Sequence, residues 1–148
     1  LLRDVARWLS TGTKNKAGCN VVVIDERSEL AGTYRGQAQM DLGPRTDVLD
    51  SCPKACGMIM AIRSLSPHVL ITDEIGRQED VEAIRECVNA GVAVITSVHA
   101  RNIEEVQQRP LLRDLLATNT FTNLIVLSRR QGPGTIEQLV RRDAACCG

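Results

Sequence analysis

Three short apolar runs constrain this chain more than anything else in it: "NVVVIDE" at 20–26, "HVLITDE" at 68–74 and "VAVITSVHA" at 92–100. Each has three or four consecutive apolar residues and closes on side chains that can ionise. A run of that kind reads as a strand buried on both faces. Helical stripes lie between and before the runs. Leu1, Leu2, Val5, Ala6, Trp8 and Leu9 form one face of the first. Pro53 to Leu65, with proline in its first turn, and Gln78 to Asn89, stopped by Ala90-Gly91, form two more. Strands that alternate with helices need crossover connections, so the expected class is α/β, with a mostly parallel sheet and helices on both faces.

The rest of the chain is less informative. "TNLIVLS" reads as a fourth strand and "GPGTIEQLVRR" as a turn leading to an edge strand, while Glu104 to Ala117 reads as a helix broken or restarted at Pro110. Residues 28–50 have little periodicity and three glycines, the pattern of a long functional loop. A length of 148 residues with 43% hydrophobic content suits one globular domain. Zero formal net charge gives no general attraction to nucleic acid or anionic membrane. Arg129, Arg130, Arg141 and Arg142 flank a Gly-Pro-Gly turn and read as a solvated hairpin rather than a binding patch. No apolar run reaches the roughly 18 residues of a membrane span, and no signal peptide opens the chain, so it reads as cytosolic. The six cysteines, Cys19, Cys52, Cys56, Cys87, Cys146 and Cys147, contain no C-x-x-C pair and are expected to be reduced. Cys52 and Cys56 would make a redox pair or half a metal site, but read better as small buried thiols on a glycine-containing helix.

In open α/β sheets ligands gather at the carboxyl ends of the strands. Three strands deliver polar groups to that edge: Asp25 and Glu26, Asp73 and Glu74, and His99. A carboxylate there can hold a hydrated Mg²⁺ that neutralises phosphate charge, and a neighbouring one can orient or deprotonate a water. That is the work of a Walker B strand followed by a catalytic glutamate. Two acids that merely end a strand and begin a solvated loop would look the same, and a lone histidine at a strand end serves equally as a cap. The convergence of three strands carries more weight than any one of them.

The stretches "VVVIDERSELAG", "DLGPRTDVLDSCPKACGMIMAIRSLSPHVLITDEIGRQEDVEAI", "NAGVAVITSVHA" and "RPLLRDLL" closely resemble the stage III sporulation protein AA family, ATPases of endospore-forming bacteria similar to the secretion-type traffic ATPases. The resemblance runs from about residue 1 to residue 134, and "GPRTDVLDSCPKA" is its most specific part. It implies a three-layer P-loop NTPase fold of the RecA/ASCE kind, with ATP and Mg²⁺ as cofactors. Carried over residue by residue, it makes Asp73 the Mg²⁺-associated acid, through water, and Glu74 the residue that polarises the attacking water. Asp25 and Glu26 fall at a second acidic box, and His99 at a histidine box close to the γ-phosphate. Arg45 and Arg77 would offer charge to a phosphate on the same or a neighbouring subunit, although ordinary salt bridges explain them equally well. As partners it implies a homo-oligomeric ring, a hexamer, and the membrane proteins of the stage III sporulation complex, with the ATPase at the cytoplasmic face of the membrane. Ala100 and Arg101 depart from the small residue the family usually has after the histidine.

The phosphate-gripping loop G-x-x-x-x-G-K-[ST] is absent, for the sequence contains no Gly-Lys dipeptide. In the family, residues like "LLRDVAR" follow that loop directly. The chain is therefore expected to be the C-terminal part of a single ATPase core domain, 1–148, lacking the loop and its strand, with unpaired strand edges and weak ATP binding on its own. Two other readings remain at this level. The two acid pairs would hold two metals directly in a phosphohydrolase or nuclease, or the segment would be a non-catalytic interaction module of a membrane-associated complex.

Overall fold

The computed structural model describes residues 1–142. Cys146 and Cys147 lie outside the described residues. Where the sequence reads as one body, the chain divides into two compact units, Leu1–Val98 and the part from His99 onward, and each is described by itself.

The first unit opens with helix α1 (Leu2–Thr11), followed by a small antiparallel ribbon of β1 (Gly12–Thr13) and β2 (Lys16–Ala17). Strand β3 (Val21–Asp25), strand β4 (Thr46–Asp50), helix α2 (Lys54–Ser64), strand β5 (Val69–Thr72), helix α3 (Gln78–Asn89) and strand β6 (Ala93–Ile95) complete it. The four longer strands form one all-parallel sheet in the order β4-β3-β5-β6. Every residue of β3 and β5 is buried, as their unbroken apolar runs require of strands covered on both faces.

The two faces have different covers. Val21, Val23, Val69 and Ile71 pack with Ala6 of α1 and with Ala31 and Leu42 from the connection between β3 and β4. Ile24 points the other way, against α2, and alternation puts Val22, Leu70 and Thr72 on the same side. There α2 packs on β3 and α3, and α3 on β6, burying Met58, Ala61, Ile84 and Cys87. The result is a three-layer sandwich with the central strands at its core. Gly57 lets α2 approach β3 closely: a Cβ there would stand 2.8 Å from Cγ2 of Ile24.

The connection after β3 is organised by Asp25. Its fully buried carboxylate accepts three backbone N–H groups, from Glu29 at 2.9 Å, Leu30 at 3.0 Å and Ala31 at 2.7 Å. Ser28 Oγ donates to Asp50 Oδ1 at 2.5 Å, tying the same turn to the end of β4. The long weak stretch is thus less loop than expected, since its last five residues are a sheet strand.

Two other expectations change. "VAVITSVHA" leaves the sheet after Ile95, because the Ser97 hydroxyl and carbonyl turn to the chain beyond β5 and accept the N–H groups of Glu74 (3.1 Å) and Ile75 (3.2 Å). "TNLIVLS" is not a fourth strand of the parallel sheet. In the second unit, helices α4 (Ile103–Gln108) and α5 (Pro110–Ala117) precede β7 (Asn123–Ser128) and β8 (Thr135–Arg141), which among the described residues pair only with each other, antiparallel. Asn102 caps α4 by accepting from the Glu105 N–H, and Pro110 restarts the helix as α5. Leu112, Leu115 and Leu116 of α5 are buried. The Arg142 guanidinium donates to the Leu116 carbonyl of α5, and Arg130 pairs with Glu137 of β8 at 3.7 Å, so both arginines have partners within the second unit. Ile125, Leu127, Ile136 and Leu139 remain exposed and face one another in cross-strand register. Among the described residues no helix is long and apolar enough to cross a membrane.

Two outcomes follow from the first unit's packing. Asp25→Asn turns one carboxylate acceptor into a donor facing an amide, and should cost about 2–4 kcal/mol in urea denaturation, since hydrogen bonds to a charged acceptor contribute about 1.5–3 kcal/mol each; unchanged stability would contradict the anchoring role. Gly57→Ala gains about 1 kcal/mol of helix propensity but forces Ile24 aside, which costs about 1–3 kcal/mol, so a net loss is expected and a stabilised variant would show that the core gives way easily.

Candidate functional site

The in-register pairing of β3 with β5, Val21 with Val69 through Ile24 with Thr72, brings the residues that follow both strands to one level of the sheet edge. Glu26 and Asp73 meet there, and what joins them is a residue the sequence reading passed over. Lys54 sits in the first turn of α2, 6% exposed, with Nζ 2.9 Å from Glu26 Oε2 and 3.4 Å from Asp73 Oδ1. The only lysine signal sought in the sequence was the Gly-Lys of a phosphate loop. The available one was weaker: a lysine placed directly after the helix-opening Cys52-Pro53 of the family's most specific stretch.

The two contacts differ in kind. Lys54 donates a hydrogen bond to Glu26. Towards Asp73 it stands close enough for an ion pair, but Asp73 Oδ1 is a buried atom that no hydrogen bond satisfies. The hydrogen bond from Lys54 is the main reason the Glu26 carboxyl is held below the ordinary glutamate range; burial opposes it, and the charges of Lys54, Arg77 and Arg27 reinforce it. For Lys54 burial is the largest influence and favours the neutral amine. The Glu26 hydrogen bond and the Asp73 charge together outweigh it and hold the ammonium above the ordinary lysine range.

Two arginines complete the cluster. Arg77, 70% exposed, ends 3.9 Å from Glu26 Oε1, and its backbone N–H is fixed by Asp80 Oδ2 at 3.1 Å where α3 begins. Arg27, also missed in the sequence, stands 3.7 Å from Glu74 Oε2. Glu74 itself is half exposed, and its φ of 26° is one that residues with a Cβ rarely adopt. The Ser97 hydroxyl holds its N–H, so the strained turn that aims this glutamate outward is built from the chain beyond β6. Three carboxylates, Glu26, Asp73 and Glu74, therefore face three cations, Lys54, Arg27 and Arg77.

The other sequence candidates lie elsewhere. Asp25 shares a strand end with Glu26, but its carboxylate is committed to the turn behind it. Arg45 precedes β4, at the amino end of the parallel strands, five residues or ~16 Å along the strand from the acid edge. There its guanidinium donates to the Gly18 carbonyl at 3.0 Å. In its own chain Arg45 is thus a brace at the edge opposite the acids. His99 is exposed and opens the second unit, so the cluster is built from the first unit alone. Cys52 is half-buried and Cys56 exposed, and both are free thiols; burial, with the nearby Cys56, pushes the Cys52 thiol up.

Among the described residues no three His, Cys, Asp or Glu side chains converge as a metal cage. With Asp25 committed to backbone amides, the first acid pair offers the edge one carboxylate, that of Glu26. A single hydrated Mg²⁺ asks for less, one or two carboxylates with water and phosphate completing its shell. The unsatisfied Asp73 Oδ1 fits that demand.

Comparison with known proteins bears on the same residues. The family model described as "Sporulation stage III, protein AA" matches residues 1–145. Stage III sporulation protein AA of Bacillus subtilis (strain 168) is 50% identical over 143 residues, 97% of this chain and 47% of that protein. The uncharacterized protein ycf45 of Porphyra purpurea is 28% identical over 145 residues, 97% of this chain and 25% of that protein. The chain thus spans about half the length of the first of these relatives and a quarter of the second. Among solved structures it is similar to one titled "Crystal Structure of the Pilus Retraction Motor PilT and Bound ADP", with a TM-score of 0.56, 15% identity, and coverage of 87% of this chain and 40% of that one. At that identity the likeness shows the fold alone, the P-loop NTPase class of α/β sandwich expected from the sequence. With its whole length but for the last three residues matched, the chain belongs to the sporulation stage III protein AA family.

Proposed function

We propose that this chain forms the catalytic side of a Mg²⁺-dependent ATPase that serves the sporulation channel complex between mother cell and forespore. The observation that carries the reading is the grouping of Glu26, Asp73 and Glu74 at the carboxyl edge of two adjacent parallel strands, with Lys54 between the first two. In a sheet of this class that edge is where a nucleotide sits. Bound there, Mg²⁺ would supply a counter-charge to the phosphates.

The chain's own residues divide the remaining work. Asp73 offers the unsatisfied carboxylate oxygen to the hydrated ion. Glu74, half exposed and aimed outward by its strained backbone, is placed to orient a water and take its proton. Glu26, held ionised by Lys54, adds negative potential behind the ion rather than a proton acceptor. Arg77 and Arg27 are the cations able to turn from carboxylates to phosphate oxygens, since both are mostly exposed and their present contacts are long. Work as a homo-oligomeric ring, a hexamer, at the cytoplasmic face of the membrane, with the complex's membrane proteins as partners, extends the same reading. Family membership and the fold shared with the pilus retraction motor support it. The interaction-module alternative gives no reason for a strained, outward-facing Glu74.

Glu74→Gln in the protein at its full natural length should lower ATP hydrolysis by about 100-fold or more, the usual scale for a lost general base, while nucleotide binding measured by fluorescence titration stays intact. Retained turnover would remove Glu74 from the mechanism and with it the principal support for the ATPase reading.

A further inference from the structure

Lys54 is held where two separate forces oppose it. Its ammonium is nearly buried, and it stands in the first turn of α2, where the helix dipole disfavours positive charge. The acids are what keep it there, and they do so unequally. Glu26 accepts a hydrogen bond at 2.9 Å, whereas Asp73 has only the 3.4 Å ion pair, and Lys54 is its only cation partner among the described residues. The lysine thus has one firm contact and one that can be given up.

We propose that Lys54 is a positioning residue that reserves Asp73: its ammonium and a divalent cation compete for that carboxylate, while Glu26 keeps the lysine from leaving. The proposal rests on the reading of Asp73 as the Mg²⁺-associated acid. An ammonium close to the carboxylate opposes a second cation through simple charge repulsion, strong in this partly buried setting. A divalent ion arriving with phosphate brings enough attraction to displace the weaker contact, and Lys54 then remains on Glu26 with its charge still balanced. The site would therefore take the ion together with its anionic ligand in preference to the ion alone.

The test reads divalent binding without turnover. Mn²⁺, followed by electron paramagnetic resonance in the nucleotide-free protein at its full natural length, is the probe. Lys54→Met should bind Mn²⁺ tighter than the unsubstituted protein by about tenfold or more, the scale of removing one unit charge beside a partly buried ligand. Adding Asp73→Asn should abolish the gain, and Lys54→Arg should keep the original weak binding. Glu26→Gln provides a second route if Lys54→Met does not fold: with its firm partner weakened, the lysine shifts onto Asp73 and Mn²⁺ binding should fall severalfold. Mn²⁺ binding that is no tighter in Lys54→Met, or no weaker in Glu26→Gln, would overturn the proposal. Either result would leave the ATPase reading standing, because that depends on the separate Glu74→Gln outcome.

Discussion

Everything at the candidate site depends on one pairing, β3 beside β5, parallel, in register and buried on both faces. Parallel strands paired in register end within a residue of each other, so charged residues just past them are forced close together. Here those are Glu26 and Asp73, two carboxylates that repel each other at the margin of an apolar sheet. The sheet supplies geometry and, with it, an electrostatic problem. The first turn of α2 solves that problem by presenting a lysine between them, and because α2 is locked on β3 at Gly57 the ammonium cannot drift far. Fold and charge distribution are therefore one design: the helix that closes the core also neutralises the edge.

A site arranged this way is quiet in the absence of ligand. Three carboxylates are matched by three cations, the closest pair nearly dry and the outer two pairs loose and wet. Wet ion pairs contribute little to stability, which frees their members to change partners at small cost. The dry pair does the opposite and fixes the position of Glu26.

The central strands were legible from the letters because strands covered on both faces are continuous apolar runs, and "VVVI" and "VLI" have no other economical use. The edge strand β4 was not, since "TDVLD" carries only two apolar residues and an edge strand needs no more. The run "NLIVL" misled for the converse reason. Its periodicity is that of a buried strand, yet Ile125 and Leu127 stay exposed on a hairpin that pairs with itself. The acids show the limit most clearly. "DE" at the end of β3 and "DE" just past β5 are the same letters, and only the backbone beyond decides their use. After β3 it curls back so that three amides reach Asp25; after β5 it is drawn to Ser97, and both acids stay at the edge. Lys54 was unreadable because its meaning depends on two residues 28 and 19 positions away, joined to it only by the folded sheet.

The curl around Asp25 has a mechanical meaning as well. A carboxylate that gathers three successive amides clamps the start of the β3–β4 connection to the sheet as firmly as the strand itself. Flexure can begin only past the last of them, and the next residue is Gly32, at a φ of 59° that suits glycine. The connection is thus a short stiff root carrying a longer arm. The Ala31 carbonyl in turn receives the Gln39 and Met40 N–H groups, so the arm doubles back onto its own root and the strand end that carries Glu26 stays fixed.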